Sequence, residues 1–116
     1  MENPITEAFR NALEDDQVIF EFAFPRGQGS TLSYVTVYLG TITIKGFRVM
    51  KSKYENPDGN YLNLVPPGIM STSHPEKPPY KVFHINDAML WEIFERKALI
   101  KYQKKLKEKD ENTHSY

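Results

Sequence analysis

The stretch TLSYVTVYLGTITIKGFRVMKSKYENPDGNYLNLV, residues 31 to 65, decides the fold of this chain. Apolar residues alternate along it with the period of a half-buried strand. They are Val35, Val37, Leu39, Ile42 and Ile44. Gly40 interrupts the alternation, and NPDGN at 56–60 separates it from the last apolar run, YLNLV. Both interruptions are typical of turns, so the stretch predicts strands that fold back on one another in an antiparallel sheet.

The alternation changes face after Ile44, because the next apolar positions are Phe47 and Val49. A strand changes face only through a backbone irregularity, and glycine relieves the steric cost of the dihedral angles that such an irregularity needs. We therefore predict a β-bulge or twist near Gly46.

Both flanks of this stretch contain helical patterns. Asn3 and Pro4 suit a helix start, which predicts a short helix over residues 4–13. Residues 17–24 alternate as a strand. From Asn86, the expected N-cap, apolar side chains recur every three or four residues and predict a long helix whose last two turns extend beyond the core. Its expected core positions are Met89, Leu90, Ile93, Phe94, Ala98 and Tyr102.

These elements predict an α+β fold with a central antiparallel sheet of about four to five strands, a short N-terminal helix and a long C-terminal helix. Residues 66–79 include five of the eight prolines and are expected to form a surface loop or mobile arm, with a short strand possible at 80–84. The 116 residues suit a single domain over 1–109, followed by a frayed tail at 110–116.

The composition excludes several function classes. There is no cysteine, so disulfides, zinc-thiolate sites and thiol nucleophiles are absent. None of His74, His84 and His114 has a ligand partner at useful spacing, and no serine lies in a nucleophile motif. No signal peptide or apolar membrane span is recognisable. We expect a cytoplasmic protein without catalysis, metal or cofactor.

A formal net charge of zero conceals a separation of charge along the chain. Residues 1–24 carry six acidic side chains and one arginine, whereas residues 96–109 carry seven basic side chains and one glutamate. Such a separation can steer an anionic partner to the basic end, or it can let the two ends of the chain attract each other.

The basic residues supply the candidate site. If the sheet and the helix tip face the same side, lysines from both could follow the phosphates of DNA or RNA, with a tyrosine stacking or packing nearby. The candidate residues are Lys51, Lys53, Tyr54, Lys101, Lys104 and Lys105. The alternative is that these lysines protect a strand edge and solubilise a helix face.

Three segments carry a family resemblance: TVYLGTITIKGFRV at 36–49, YLNLVP at 61–66 and INDAMLWEIFERKALIKY at 85–102. In order and pattern, over roughly residues 33–103, they resemble the SpoVG family of stage V sporulation and septation regulators. The resemblance implies a cofactor-free domain that dimerises through its sheet and acts as a nucleic-acid-binding regulator.

The chain departs from that family in three places. Residues 1–30 form an additional acidic extension, the NPDGN loop is longer, and the basic loop that follows the return strand retains only Lys77. An acidic extension can mask a basic site, mimic nucleic acid or add a strand. A second function class therefore stays open: a protein-interaction or inhibitory module that acts through the helix tip and the acidic segment.

Overall fold

The computed structural model of the chain describes residues 3–27, 29–69, 73–74, 76–77 and 80–113. Its elements, in chain order, are α1 (Pro4–Glu14), β1 (Ile19–Ala23), β2 (Thr31–Leu39), β3 (Ile42–Lys51), β4 (Leu62–Val65), β5 (Gly68–Ile69), β6 (Tyr80–Lys81) and α2 (Ala88–Thr113). β1 to β4 form an antiparallel sheet in sequence order, and β5 pairs with β6 in a second, two-stranded sheet. The predicted α+β fold is confirmed.

The long β2–β3 hairpin contains the predicted irregularity. Val35 pairs with Phe47 and Val37 with Ile44, so β3 has one more residue than β2 between these two pairs. The extra residue forms a bulge at Gly46, and it returns the side chains of Phe47 and Val49 to the buried face.

Two glycines in this hairpin are required by the backbone. Gly40 has a φ of +60° in the tight turn between β2 and β3, and Gly46 has a φ of +101° in the bulge. A Cβ added at Gly46 would also lie 3.2 Å from the Cβ of Pro67. A side chain at Gly46 would therefore be strained by the backbone angle and crowded by its neighbour.

The first helix and the first strand agree with their sequence patterns. Asn3 caps α1, because its Oδ1 accepts a hydrogen bond of 2.8 Å from the N–H of Ile5. In β1 the side chains on one face are exposed and those on the other are half-buried against the core. The second group includes Phe20 and Phe22, which confirms the alternation predicted for this strand.

The core lies between one face of the sheet and the two helices. Phe94 of α2 is at its centre, with its ring centroid 5.5 Å from those of Phe20 and Phe47 and 6.0 Å from that of Phe9 in α1. The buried apolar residues are Leu13, Val18, Val35, Val37, Phe47, Val49, Leu64, Leu90, Phe94, Ala98, Leu99 and Tyr102. On the opposite face of the sheet, Ile19 and Tyr34 are exposed.

The start of α2 differs from the prediction by one residue. Asp87, and not Asn86, caps the helix, because its Oδ1 accepts hydrogen bonds from the N–H groups of Met89 at 3.0 Å and Leu90 at 3.1 Å. The assignment of Met89 to the core was also wrong, since this side chain is 72% exposed. Leu90, its neighbour in the first turn, is the residue that faces the core.

The proline-rich segment contributes β5, a strand that its sequence did not indicate, and β5 pairs with β6 in a small sheet. β5 and β6 pair over two residues each, and the N–H of Val82 donates to the carbonyl of Pro67 at 3.0 Å. The strand predicted within residues 80–84 is thus limited to Tyr80–Lys81. Residues 70–72, 75, 78 and 79 of the predicted surface loop lie outside the described part of the chain.

The end of α2 contacts the rest of the domain, although its many lysines predicted that it would extend beyond the core. The helix continues beyond residue 110, where the frayed tail was expected, as far as Thr113. Leu106 packs against the core, and the Nζ of Lys109 lies 4.4 Å from the ring centroid of Phe24. The remainder of the predicted tail, residues 114–116 including His114, lies outside the described residues.

Candidate functional site

The loop between β3 and β4, together with Lys51 at the end of β3, presents three of the six candidate residues. Its conformation depends on Asn56, whose Oδ1 accepts hydrogen bonds from the N–H groups of Asp58 at 3.0 Å and Asn60 at 3.2 Å. The Nδ2 of Asn56 donates to the carbonyl of Leu62 at 3.2 Å. Gly59 supplies the positive φ, +82°, that the turn requires. NPDGN therefore forms a turn in which the side chain of Asn56 bonds the backbone groups of Asp58, Asn60 and Leu62.

An ion pair joins this loop to α2. Two nitrogens of Arg96 donate to the two carboxylate oxygens of Asp58, with Nε 3.2 Å from Oδ2 and a terminal nitrogen 3.0 Å from Oδ1. Such a two-point contact limits the orientation of both groups more than a single lysine contact would. The loop is thus held against the helix at a defined position.

The candidate residues at this loop are accessible. Lys51 ends β3, and Lys53 and Tyr54 follow it, all three with exposed side chains. The Oγ of Ser52 accepts a hydrogen bond of 3.1 Å from the N–H of Tyr54, and the ring of Tyr54 is 80% exposed. Tyr61, on the returning arm, is also exposed. The loop therefore presents aromatic rings beside lysines to solvent.

The other three candidate residues lie on α2, where the acidic segment reaches one of them. Asp16, in the turn between α1 and β1, has its Oδ1 3.2 Å from the Nζ of Lys97 and 3.7 Å from that of Lys101. The hydrogen bond from Lys97 and the charge of Lys101 keep the pKa of the Asp16 carboxyl below its ordinary value. The two oppositely charged ends of the chain thus contact each other, and Lys101 is partly neutralised.

Lys104 and Lys105 are the more available lysines of the helix. Both side chains are exposed, and the Nζ of Lys105 is 4.0 Å from a carboxylate oxygen of Glu108, the outer limit of an ion pair. A contact of this kind between exposed groups is weak and is screened by salt. Of the three candidates on α2, Lys101 is the one engaged by the acidic segment.

Arg96 attaches the loop to α2, but it does not share a side of the helix with Lys101 or Lys105: at about 100° per residue these lie about 140° and about 180° around the helix axis from it. Arg96 contacts the loop at Asp58 and precedes Lys101 by five residues, about 7.5 Å along the helix axis. Sequence analysis did not single out this arginine, because its partner is 38 residues away in the chain. The sequence around Asp58 and the sequence around Arg96 do not indicate that the two side chains pair.

A groove adjoins this region, between β4 and the start of α2. Its volume is about 550 Å³, within the range of ligand-binding clefts. The lining residues are Asn63, Leu64, Val65, Pro66, Phe83, His84, Ile85, Asn86, Ala88, Trp91 and Glu95. Glu95 accepts a hydrogen bond of 3.0 Å from the N–H of Leu64 at its Oε2, on the outer edge of β4. Sequence analysis did not predict this groove.

The described residues contain no group of three or more His, Asp or Glu side chains arranged to hold a metal ion. Over the same part of the chain, no helix combines the length and the apolar character needed to cross a membrane.

The chain was compared with models of protein families, with curated proteins and with solved structures, and none of the three comparisons gave a match.

Proposed function

We propose that this protein is a small nucleic-acid-binding regulator, without catalysis or cofactor, that contacts the phosphates of DNA or RNA with modest sequence preference. The resemblance of residues 33–103 to the SpoVG family supports this class of function. The strand, turn, return-strand and helix order of that resemblance is the order of the elements in this chain.

The observation that carries the proposal is the presentation of Tyr54. Its ring is 80% exposed, directly after the exposed Lys53 and before the exposed Glu55, on a loop that Asn56 and the Arg96–Asp58 pair hold in place. Exposed aromatic rings beside lysines are the usual means of binding unpaired bases, because every base can stack on a ring while its phosphate is neutralised. A preformed loop also loses little conformational entropy on binding.

In the proposed complex, Lys51 and Lys53 contact phosphates next to the base stacked on Tyr54. Lys104 and Lys105 contact phosphates further along the strand, since neither is engaged by the acidic segment. Lys101 contributes less than these two, because the carboxylate of Asp16 already lies 3.7 Å from it.

The test is a gel shift with single-stranded DNA and RNA at two salt concentrations. Lys104→Glu/Lys105→Glu should abolish retention of the nucleic acid and leave the thermal midpoint nearly unchanged, because exposed charges contribute little to folding. A plot of the logarithm of the binding constant against the logarithm of the salt concentration has a slope that reports the number of phosphate contacts. The single substitution Lys104→Gln should reduce the size of this slope by about 0.7 to 0.9, the value of one contact.

Two controls make the test specific. Lys45→Glu/Lys77→Glu changes the net charge equally at exposed lysines outside the proposed surface, so it should bind far better than the helix variant. Tyr54→Ala should weaken binding about 10-fold or more through lost stacking, whereas Tyr34→Ala, on the open sheet face, should not. If each control lost as much nucleic-acid binding as the variant it is paired with, binding would be non-specific and the proposal would be contradicted.

The proposed assembly is a homodimer joined through the sheet, in the cytoplasm. On β4, the carbonyl of Leu62 and the N–H of Leu64 are already bonded to the side chains of Asn56 and Glu95. We therefore assign the dimer contact to β1, the opposite edge of the sheet. A light-scattering mass of twice the 13.5 kDa chain would support the dimer, and a monomer mass at binding concentrations would contradict it.

The second candidate function is a protein-interaction or inhibitory module acting through the helix tip and the acidic N-terminal segment. The pairing of Asp16 with Lys97 and Lys101 engages these two parts with each other. We rank this candidate below nucleic acid for that reason.

A further inference from the structure

The groove between β4 and α2 contains one carboxylate, that of Glu95, and its charge bears on what can bind there. Among its lining residues Glu95 is the single acid, none is lysine or arginine, and His84 is the one other titratable side chain. One carboxylate oxygen of Glu95 accepts the hydrogen bond from Leu64, which leaves the other oxygen as an acceptor in a wall of mainly apolar residues that also includes Asn63, His84 and Asn86. A positive charge that enters this groove meets a carboxylate whose competition from water is reduced by the surrounding apolar side chains.

The helix start beside the groove does not reverse this preference. Helix N-termini attract anions through free N–H groups, but at α2 the carboxylate of Asp87 already accepts from the N–H groups of Met89 and Leu90. An anion in the groove would face Glu95 and compete with Asp87. The electrostatics of the groove therefore favour a cation.

Aromatic side chains add a second attraction for a cation. Trp91 precedes Glu95 by four residues and so lies on the same side of α2, one turn away. Phe83, which precedes α2 in the chain, also lines the groove. An indole face beside a carboxylate is a favourable environment for a guanidinium or ammonium group, and tryptophan is the strongest cation–π partner among the side chains.

Two outward backbone groups on the edge of β4 are already bonded to side chains, which hinders the addition of a strand. Asn56 bonds the outward carbonyl of Leu62, and Glu95 bonds the outward N–H of Leu64, so an incoming backbone would have to displace both side chains. The Oδ1 of Asn63, which also lines the groove, is buried without a hydrogen-bond partner in the described part of the chain. The groove thus favours the side chains of a ligand over the backbone of an added strand.

We propose that this groove binds a short segment of a partner protein in which an arginine or lysine is flanked by apolar residues. The basic group lies between Trp91 and the carboxylate of Glu95. The apolar neighbours pack on Val65, Pro66 and Ile85, in a volume of about 550 Å³ that exceeds the needs of a single side chain. This site is separate from Tyr54 and the lysines proposed to bind nucleic acid.

The single tryptophan of the chain makes the binding measurable without a label, because Trp91 lines the groove. The probe is the acetylated and amidated pentapeptide Ser-Leu-Arg-Leu-Ser, titrated into the full chain while Trp91 emission is recorded. We expect a saturable change in emission, with binding at least about 10-fold tighter than for the matched peptide with glutamate in place of arginine. Similar affinities for both peptides would overturn the proposal.

The matched variants are Glu95→Gln and Glu92→Gln. Glutamine at 95 can still accept the hydrogen bond from Leu64, so the fold is retained while the charge is removed. We expect Glu95→Gln to weaken peptide binding about 10-fold, since a charge-assisted hydrogen bond is replaced by a neutral one. Glu92→Gln removes an exposed acid of the same helix outside the groove and should bind as the unaltered chain does. Equal binding by both variants would overturn the assignment to Glu95.

Two further measurements identify the occupant. Free arginine amide should bind at least about 10-fold more weakly than the pentapeptide, because it lacks the apolar neighbours; equal affinity would assign the groove to a small organic cation instead. Nucleic-acid retention by Glu95→Gln should equal that of the unaltered chain. If Glu95→Gln lost nucleic-acid binding together with peptide binding, the two sites would be one and this inference would be overturned. If the unaltered chain bound the peptide but no nucleic acid, only the proposed function would be contradicted.

Discussion

The two halves of α2 differ in what they contact. Residues 88–102 bury Phe94, Ala98, Leu99 and Tyr102 against the sheet and α1. Residues 103–113 contribute a half-buried Leu106 and the ammonium group of Lys109 over the ring of Phe24, and their other described side chains are exposed. The first half is part of the hydrophobic core, and the second half is a charged helical surface attached to it.

The difference shows how one helix can serve stability and recognition separately. Burial of large apolar side chains contributes kilocalories per residue, whereas exposed charges contribute little to folding but determine the local electrostatic field. Lys101, at the end of the first half, and Lys97, one turn earlier, are both engaged by the acidic segment through Asp16. Substitutions in the first half should therefore change stability, and those in the second half should mainly change binding.

The strongest effect is expected at Phe94, which is fully buried and packs on rings from both helices and the sheet. Phe94→Ala should lower the free energy of unfolding by about 4 kcal/mol, through lost transfer energy and the cavity left behind. Urea unfolding followed by Trp91 emission would measure it, with Phe94→Leu as a variant that retains most of the volume. A loss below about 1 kcal/mol for Phe94→Ala would remove this residue from the centre of the core.

A smaller effect is expected at Leu106, the half-buried apolar residue of the second half. Leu106→Ala should lower the free energy of unfolding by about 1 kcal/mol, in proportion to the smaller apolar area removed from water. The same urea experiment would measure it, and Gln103→Ala, at an exposed position one turn earlier, is the control. If Leu106→Ala matched Phe94→Ala, the division of α2 into a core half and a charged half would be wrong.

The smallest effect is expected at Asp16, and it should depend on pH. Its φ of +55° is tolerated by asparagine, so Asp16→Asn removes the charge without changing the backbone. Because Lys97 and Lys101 lower the pKa of this carboxyl in the folded state, its contribution is complete above the ordinary aspartate pKa of about 3.9 and is lost as the pH falls through the lower folded value.

Thermal unfolding at pH 7 should therefore show Asp16→Asn slightly less stable than the unaltered chain, and the difference should disappear near pH 2. Glu14→Gln, at an exposed acid of α1, should show a smaller difference at pH 7. A difference for Asp16→Asn that persisted unchanged at low pH would assign its effect to something other than the ion pairs with α2.

Local patterns were sufficient to predict most of the main sheet and both helices. The alternation through Val35 and Val37, the change of face after Ile44 and the glycine at 46 predicted the hairpin and its bulge, and the structure has both. The N-cap of α2 was wrong by one residue because asparagine and aspartate cap equally well, and a single sequence does not distinguish adjacent candidates. β5 and β6 pair over only two residues each, which is too short for any periodicity.

By itself, the sequence determined the order and type of the main elements, the buried face of each long strand and the separation of charge between the two ends. These features follow from side-chain periodicity and from residues with restricted backbones, which act over a few positions. Only the tertiary structure decided which charges meet, namely Asp16 with Lys101 and Asp58 with Arg96, and that Trp91 and Glu95 line a groove beside β4. These contacts join residues distant in the chain, and their partners are selected by the packing of the whole domain.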